Sequence, residues 1–223
     1  MEEKRIMETM REIKSNPQIE ANTIQSQYRK VQRYEAVKRG LDIVGATVGA
    51  LPALVLIMVF GLLVKIETPG KVFYSQERLG KHGKKFRLYK IRSMLDDAEK
   101  DGAKWADQND DRVTKIGKFI RNTRIDELPQ LLNILKGEMS IVGPRPEREI
   151  FTIQFEEEIP GFSQRLNVKP GLTGWAQING GYDISPREKL EYDLYYIKNR
   201  SLRLDFKILC KTVGIIINGE GAR

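Results

Sequence analysis

The sequence predicts an α+β fold, mostly helical. A re-entrant membrane hairpin (helix–break–helix) feeds a cytosolic domain with a small β-hairpin and surface amphipathic helices. Three observations carry this. Residues 43–64, IVGATVGALPALVLIMVFGLLV, hold no charge and have Pro52 near their middle. Residues 71–94 place short apolar arms on either side of a Gly/Lys-rich turn. Later segments repeat apolar residues at helical spacing.

The elements follow in order. Residues 1–36 are polar, with a helix expected through the first dozen, a break at Asn16-Pro17 and a second helix from about 20 to 36. They carry no visible chemistry and suit oligomerisation. No cleavable signal peptide is expected, because MEEKRIMETMREIKSNP is charged throughout. Residues 37–68 form the hairpin. As a helix, the uncharged run would be roughly 33 Å long, enough to cross a hydrocarbon core. Pro52 removes a backbone donor where lipid offers no substitute. Both flanks are basic: Arg29, Lys30, Arg33, Lys38 and Arg39 before, Lys65, Lys71, Arg78, Lys81, Lys84 and Lys85 after. Positive flanks stay cytoplasmic, which favours entry, a bend at Leu51-Pro52 and return to the same side. A single kinked transmembrane helix is the alternative.

Residues 69–223 form the cytosolic domain. Val72, Phe73 and Tyr74 make one arm of the hairpin, Phe86, Leu88 and Tyr89 the other, and LGKHGKK the turn. LDDAEKDGAKWA should be helical, and a further helix should carry Leu128, Leu131, Leu132, Ile134 and Leu135, ending at Gly137. MSIVGPRPE and VKPGLTGWAQINGG read as rigid loops. SPREKLEYDLYYIKN and FKILCKTVGIIIN read as helices, the last suited to a membrane surface with Lys207 and Lys211 snorkelling.

Composition narrows the chemistry. The chain has 223 residues, 40% apolar and 30% charged, with a net charge of +8 that calls for an anionic partner. One cysteine, Cys210, excludes an intrachain disulfide and a cysteine zinc site, and its apolar segment suggests a core position. One histidine, His82, lies in the hairpin turn and reads as a solvated turn residue, so Ser/His/Asp triads and multi-histidine metal sites are poor candidates. DQNDDR lacks the glycine and glutamate of a calcium loop. No Walker or dinucleotide glycine motif is present, GLTG reads as a turn, and no nucleic-acid module is recognisable. Carboxylates, Lys, Arg or a hard metal ion must do any catalysis.

RNTRIDELPQLLNILKG, residues 121–137, supplies the candidates. Asp126 and Glu127 with Pro129 fit a helix start with an acidic N-cap. They equally fit chemistry on phosphate. Arg112, Arg121, Arg124 and Arg145 can hold phosphate bidentately, while one carboxylate attacks phosphorus and the other holds magnesium. The pattern alone leaves both readings open. A membrane base beside a phosphate site suggests a lipid-phosphate substrate.

KRGLD before the hydrophobic run, KVFYSQERLGKHGKKFRLYKIRSM, DDRVTKIGKFIRNTRIDELPQLLNILKGEMSIVGPRPE, VKPGLTGWAQINGG and EYDLYYIKNRSLRLDFKILCKTV closely resemble the bacterial sugar transferases, the monotopic phosphoglycosyl transferases. The resemblance runs from about residue 37 to the end of the chain. It implies transfer of a sugar 1-phosphate from a UDP-sugar to undecaprenyl phosphate, with release of UMP and a need for Mg2+. It implies Asp126 as nucleophile, through a phosphosugar-aspartyl intermediate, and Glu127 as its acid partner and metal ligand. Arg145 of GPRP matches a substrate-phosphate arginine, and Lys38, Arg39 and Asp42 a membrane-border motif. Arg39 and Asp42 would share a helix face and could pair. Arg78, Lys90, Arg92, Gln130, Thr173 and Gln177 match further site positions, joined by Arg121. The resemblance also implies the bacterial inner membrane, membrane lipids as partners, a cytoplasmic active domain and the re-entrant topology. Larger members carry four or five transmembrane helices ahead of this region, and only the polar segment 1–36 is expected here. A homodimer through residues 1–36 is expected, and nucleic acid is not. The C-terminal portion ending in GEGAR favours UDP-galactose or UDP-glucose over acetamido sugars.

Overall fold

The computed structural model describes residues 17–98, 100, 110–180 and 184–218. The chain divides into two compact units, Met1–Leu41 and Asp42–Arg223. Helix α1, Pro17–Glu67, begins in the first and ends in the second. Proline suits a first helical turn, where its missing N–H has no partner to lose. The helix foreseen within the first dozen residues lies outside the described residues. The one foreseen at 20–36 does not stop there but continues to Glu67.

The helix–break–helix expectation is corrected in one respect: α1 runs through Pro52 as one helix. An internal proline removes its own N–H bond and crowds the carbonyl one turn earlier, after which the helix resumes. Within the second unit α1 has two unlike sides. Asp42, Ala46, Ala53, Gly61 and Val64 are buried, whereas Val44, Val48, Leu51, Val55, Met58, Leu62 and Ile66 are exposed, Leu51 to 76%. Small residues on the buried side let the domain approach closely: a Cβ at Gly61 would meet Val72 Cγ1 at 2.9 Å.

The hairpin is formed as expected by β1, Phe73–Leu79, and β2, Lys85–Ile91, paired antiparallel with Phe73 opposite Ile91 and Tyr74 opposite Lys90. His82 occupies the left-handed region (φ 58°) in the turn between them and is exposed. Residues 95–98 and 100 of the expected LDDAEKDGAKWA helix form turn instead, and its remainder lies outside the described residues. Helix α2, Lys115–Asn122, capped by the Thr114 side chain at Gly117 N, was not anticipated. A 3-10 turn, Ile125–Gln130, then leads into α3, Leu131–Lys136, which ends at left-handed Gly137 as foreseen.

The two Pro/Gly-rich stretches, read as loops, each hold a short strand. β3, Ser140–Val142, pairs in parallel with β4, Gly171–Thr173. Strands this short show no alternation in the sequence. Between them lie α4, Glu149–Glu158, and a second 3-10 turn, Phe162–Asn167. Then follow α5, Trp175–Asn179, α6, Pro186–Asn199 with a Ser185/Glu188 capping box, and α7, Leu202–Asn218. The last two match the expected helices. Cys210 is exposed, not core. On α7, Asp205 and Ile208 face inward, and Cys210 shares the outer side with Phe206 and Val213.

Apolar clusters seat the elements around the acid-bearing turn. Ala46 of α1 packs with Phe86, Leu88, Ile134 and Met139, and Val64 of α1 with Ile91 and Ile120. Val142, Tyr196 and Ile208 seat α6 and α7 on the small parallel sheet.

Candidate active site

Arg124 sets the local geometry of the acid pair. It is a non-glycine residue in the left-handed region (φ 60°), and its carbonyl accepts from Glu127 N at 3.1 Å. Such a conformation costs on the order of 1–2 kcal/mol and tends to persist where function or packing demands it. The reversal places Asp126 and Glu127 inside the tight turn rather than at an exposed helix N-cap. They are only 3% and 6% accessible. The acidic-cap reading is therefore corrected: neither carboxylate caps a helix.

Lys90 reaches both acids. Strand alternation puts it on the same face of β2 as buried Phe86 and Leu88, a position where an apolar residue is the rule. Its ammonium donates to Asp126 Oδ2 at 3.2 Å and to Glu127 Oε1 at 2.9 Å. Arg145, from the loop after β3, donates to Glu127 Oε1 at 2.5 Å and to Oε2 at 3.4 Å.

The neighbouring carboxylates are thus pushed apart. Burial raises the pKa of Asp126 above its ordinary value, and Glu127 adds to this, while Lys90 only partly opposes it. Burial acts upward on Glu127 too, but Arg145 and Lys90 outweigh it and hold Glu127 well below the usual range. Arg145 is raised, first by the Glu127 charge. Glu127 is thus the better stabilised anion of the two, and Asp126 the less stabilised one.

Asp126, Arg78, Lys90, Arg92, Arg121 and Arg145 line one cavity of about 440 Å³, on whose walls cations outnumber carboxylates. Burial lowers the pKa of Arg78 and of Arg121, against the pull of nearby carboxylates. Such a cavity suits a phosphorylated ligand.

The other expected residues are placed unequally. Arg92 lines the cavity, yet its guanidinium donates to the carbonyls of Pro69, Thr68 (2.8 Å) and Val64 (3.5 Å), closing the end of α1. Gln130 is 2% accessible in the acid-bearing turn, with no hydrogen-bond partner for its Nε2. Thr173 and Gln177 are not among the residues lining the cavity. Thr173 Oγ1 lies 2.8 Å from Thr212 Oγ1, and both amide atoms of Gln177 are buried without a partner. Asp42 accepts from Ser140 Oγ at 3.0 Å and Ile141 N at 2.9 Å, joining α1 to β3. Lys38 and Arg39 fall in the other compact unit, and Pro52 is exposed on α1.

Sequence reasoning missed a second ionic group. Buried Glu147 takes Arg78 (3.5 Å), Arg165 (3.7 Å) and Lys189, and buried Arg165 pairs with Asp193 at 2.7 Å. Asp193 was findable, since it sits between Leu190 and Tyr196 on the inward face of α6. Arg165 left no local signal.

Asp126 and Glu127 offer two adjacent hard carboxylates to a magnesium ion, with Lys90 and Arg145 already bonded to them. Among the described residues no three His, Cys, Asp or Glu side chains converge, but adjacent hard carboxylates suffice for an ion that takes the rest of its oxygens from phosphate and water.

Comparison with known proteins agrees with this chemistry. A protein of Aeromonas hydrophila named UDP-N-acetylgalactosamine-undecaprenyl-phosphate N-acetylgalactosaminephosphotransferase is 48% identical over 193 residues, covering 85% of this chain and 46% of that protein. A Bacillus subtilis (strain 168) protein with the provisional name undecaprenyl-phosphate N-acetylgalactosaminyl 1-phosphate transferase is 61% identical over 137 residues, 61% of this chain and 76% of that one. The UDP-glucose:undecaprenyl-phosphate glucose-1-phosphate transferase of Escherichia coli (strain K12) is 43% identical over 182 residues, 79% of this chain and 39% of that one. The chain thus spans less than half the length of the Aeromonas and Escherichia relatives. The family described as bacterial sugar transferase matches residues 33–219, and the chain belongs to it.

Proposed function

We propose that the chain transfers a sugar 1-phosphate from a UDP-sugar to undecaprenyl phosphate and releases UMP, as the first membrane step of exopolysaccharide, capsule or O-antigen synthesis. The observation that carries this is the buried acid pair, driven to opposite pKa shifts, beside a cation-lined cavity. In the proposed mechanism a carboxylate oxygen of Asp126 attacks the phosphorus bearing the sugar, and the bond from that phosphorus to the UMP oxygen breaks. An oxygen of undecaprenyl phosphate then attacks the same phosphorus, and the bond to Asp126 breaks to restore the carboxylate. Two displacements at one site suit an enzyme that meets a soluble and a lipid substrate in turn.

Arg145, Arg121 and Arg78 would hold phosphate oxygens as the charge moves. Lys90 favours the ionised form of Asp126, partly offsetting burial. Glu127 would hold magnesium together with substrate phosphate oxygens, and the ion would neutralise charge on the transferred group. The donor sugar in this reading is galactose or glucose, the sugars named for relatives including those of Escherichia coli and Erwinia amylovora. N-acetylgalactosamine is the second reading, favoured by the names of the relatives at 48% and 61% identity.

The site would lie at the bacterial cytoplasmic membrane and face the cytoplasm. The most apolar 18-residue window within Arg29–Glu67 of α1 has a mean hydropathy of 2.5, and only 17% of it is buried. Basic flanks and Pro52 support entry and return on one side, with a bend at the proline. A homodimer through residues 1–36 belongs to the same reading.

UMP release from a panel of UDP-sugars, in membranes with added magnesium and undecaprenyl phosphate, tests the function and separates the sugars. Silence across the panel would sink it. Single cysteines at residue 20 and near 100 should be labelled from the same side of sealed vesicles. Labelling from opposite sides would restore a simple span.

A further inference from the structure

Four successive carbonyls in the loop carrying Arg145 accept hydrogen bonds from three other elements: β1, β4 and the 3-10 turn Phe162–Asn167. Pro144 O takes Gly171 N at 2.8 Å, and Glu147 O takes Leu79 N at 3.0 Å. Pro146 O takes Arg78 Nη1 at 3.3 Å, and Arg145 O takes Arg165 Nη2 at 2.9 Å. Prolines at 144 and 146 have no N–H, so their carbonyls are the only backbone groups that can be held.

The Arg165 contact differs from the other three. It falls on Arg145 itself, and Arg165 is 3% accessible and not among the residues lining the cavity. Its Nε and Nη2 both donate to Asp193 Oδ2, at 3.0 and 2.7 Å, and Asp193 is fully buried. A sealed ion pair is weak evidence for stability, because an apolar pair of similar volume often serves as well. The extra bond to the Arg145 carbonyl is what an apolar pair could not supply.

We infer that Arg165 is a positioning residue for the transfer reaction: anchored by Asp193, it fixes the backbone of Arg145 so that the Arg145 guanidinium stands over Glu127 at the cavity. This rests on the phosphotransfer reading above. The function needs the guanidinium fork, whose rigid donors span a carboxylate and a carbonyl at once. An ammonium at the same place is a point charge on a flexible stem.

The test is a double-mutant cycle between Arg165→Lys and Arg145→Ala in the full-length protein, reading UMP release and the affinity for UDP by calorimetry. Folding is checked by thermal melting. Arg165→Lys should raise KM for the UDP-sugar and weaken UDP binding, each roughly tenfold, the scale of one charge-assisted hydrogen bond. In the Arg145→Ala background it should add almost nothing, because both changes remove the same contact. Loss of folded protein alone would lower the maximal rate and leave KM and UDP affinity unchanged. Wild-type KM and UDP affinity in Arg165→Lys, or effects that multiply, would overturn the inference. If Arg165→Lys does not fold, Asp193→Asn keeps the volume and carries the same cycle with the same outcomes. A wild-type protein that releases no UMP from any UDP-sugar removes the transfer reading and this inference together. Wild-type turnover with multiplying effects removes the inference alone.

Discussion

The molecule holds two ionic groups of similar composition, and they differ in what can leave. Around Asp126 and Glu127 the acids are sealed but the cations are not: the Lys90 and Arg145 side chains are 22% and 30% accessible. Around Glu147 and Asp193 the key cation is sealed as well, with Arg165 at 2% and Asp193 at 1%. The first arrangement lets a phosphate compete for the cations. In the second, Arg165 and Asp193 are closed off, although Glu147, Lys189 and Arg78 line the same cavity. Arg145 belongs to both, its side chain to the reactive group and its carbonyl to the closed one. Ion pairing of one kind thus serves chemistry where a partner can be displaced and placement where it cannot.

Breaking the reactive group should have the largest effect. Asp126→Asn is expected to lower UMP release by roughly 10⁴-fold or more, the scale seen when a nucleophile is removed. The variant should remain in the membrane fraction. Arg145→Ala should cost about 10²–10³-fold in kcat/KM, as for loss of a donor to developing charge. Lys90→Met should act through protonation. Attack requires ionised Asp126, whose pKa burial already raises and Lys90 lowers. Without Lys90 the acid limb of the kcat/KM profile should move to higher pH. An unmoved limb would take Asp126 out of the role.

The closed group should answer in stability. Glu147 is held at about 2, where burial is outweighed by Lys189, Arg165 and Arg78. A depressed carboxylate stabilises the fold above its ordinary value of about 4.3 and loses that contribution as pH falls toward 2. The melting temperature in detergent should drop across that window, and Glu147→Gln should flatten the drop while lowering stability at neutral pH. The smallest effect belongs to the surface. Lys85 bridges exposed Glu77 and Glu149, and Lys85→Ala should leave the melting temperature unchanged, as such pairs contribute little.

Much of the reactive group was legible because its residues fall in ordered motifs. Asp126, Glu127, Lys90, Arg145, Arg78 and Arg121 were all singled out, and all meet at or beside one cavity. Their local shape was not legible. A helix start and a tight 3-10 turn look alike from Asp126 to Pro129, and left-handed Arg124 decides between them without any glycine to announce it. The parallel strands β3 and β4 were hidden inside Pro/Gly stretches, because three residues are too few to show a period. Cys210 was misplaced for a related reason: an apolar neighbourhood in sequence does not say which side of a helix faces in. Arg165 depends on partners far along the chain, which no local pattern reports.

Asp42 acts as a rivet. Its carboxylate grips the backbone at Ile141, and the chain runs from there through 141–145 straight to the arginine over Glu127. A helix that slid along its axis by one turn, about 5.4 Å, would have to shear that grip or drag β3 with it. The axial position of the apolar helix and the attitude of Arg145 are therefore not independent quantities.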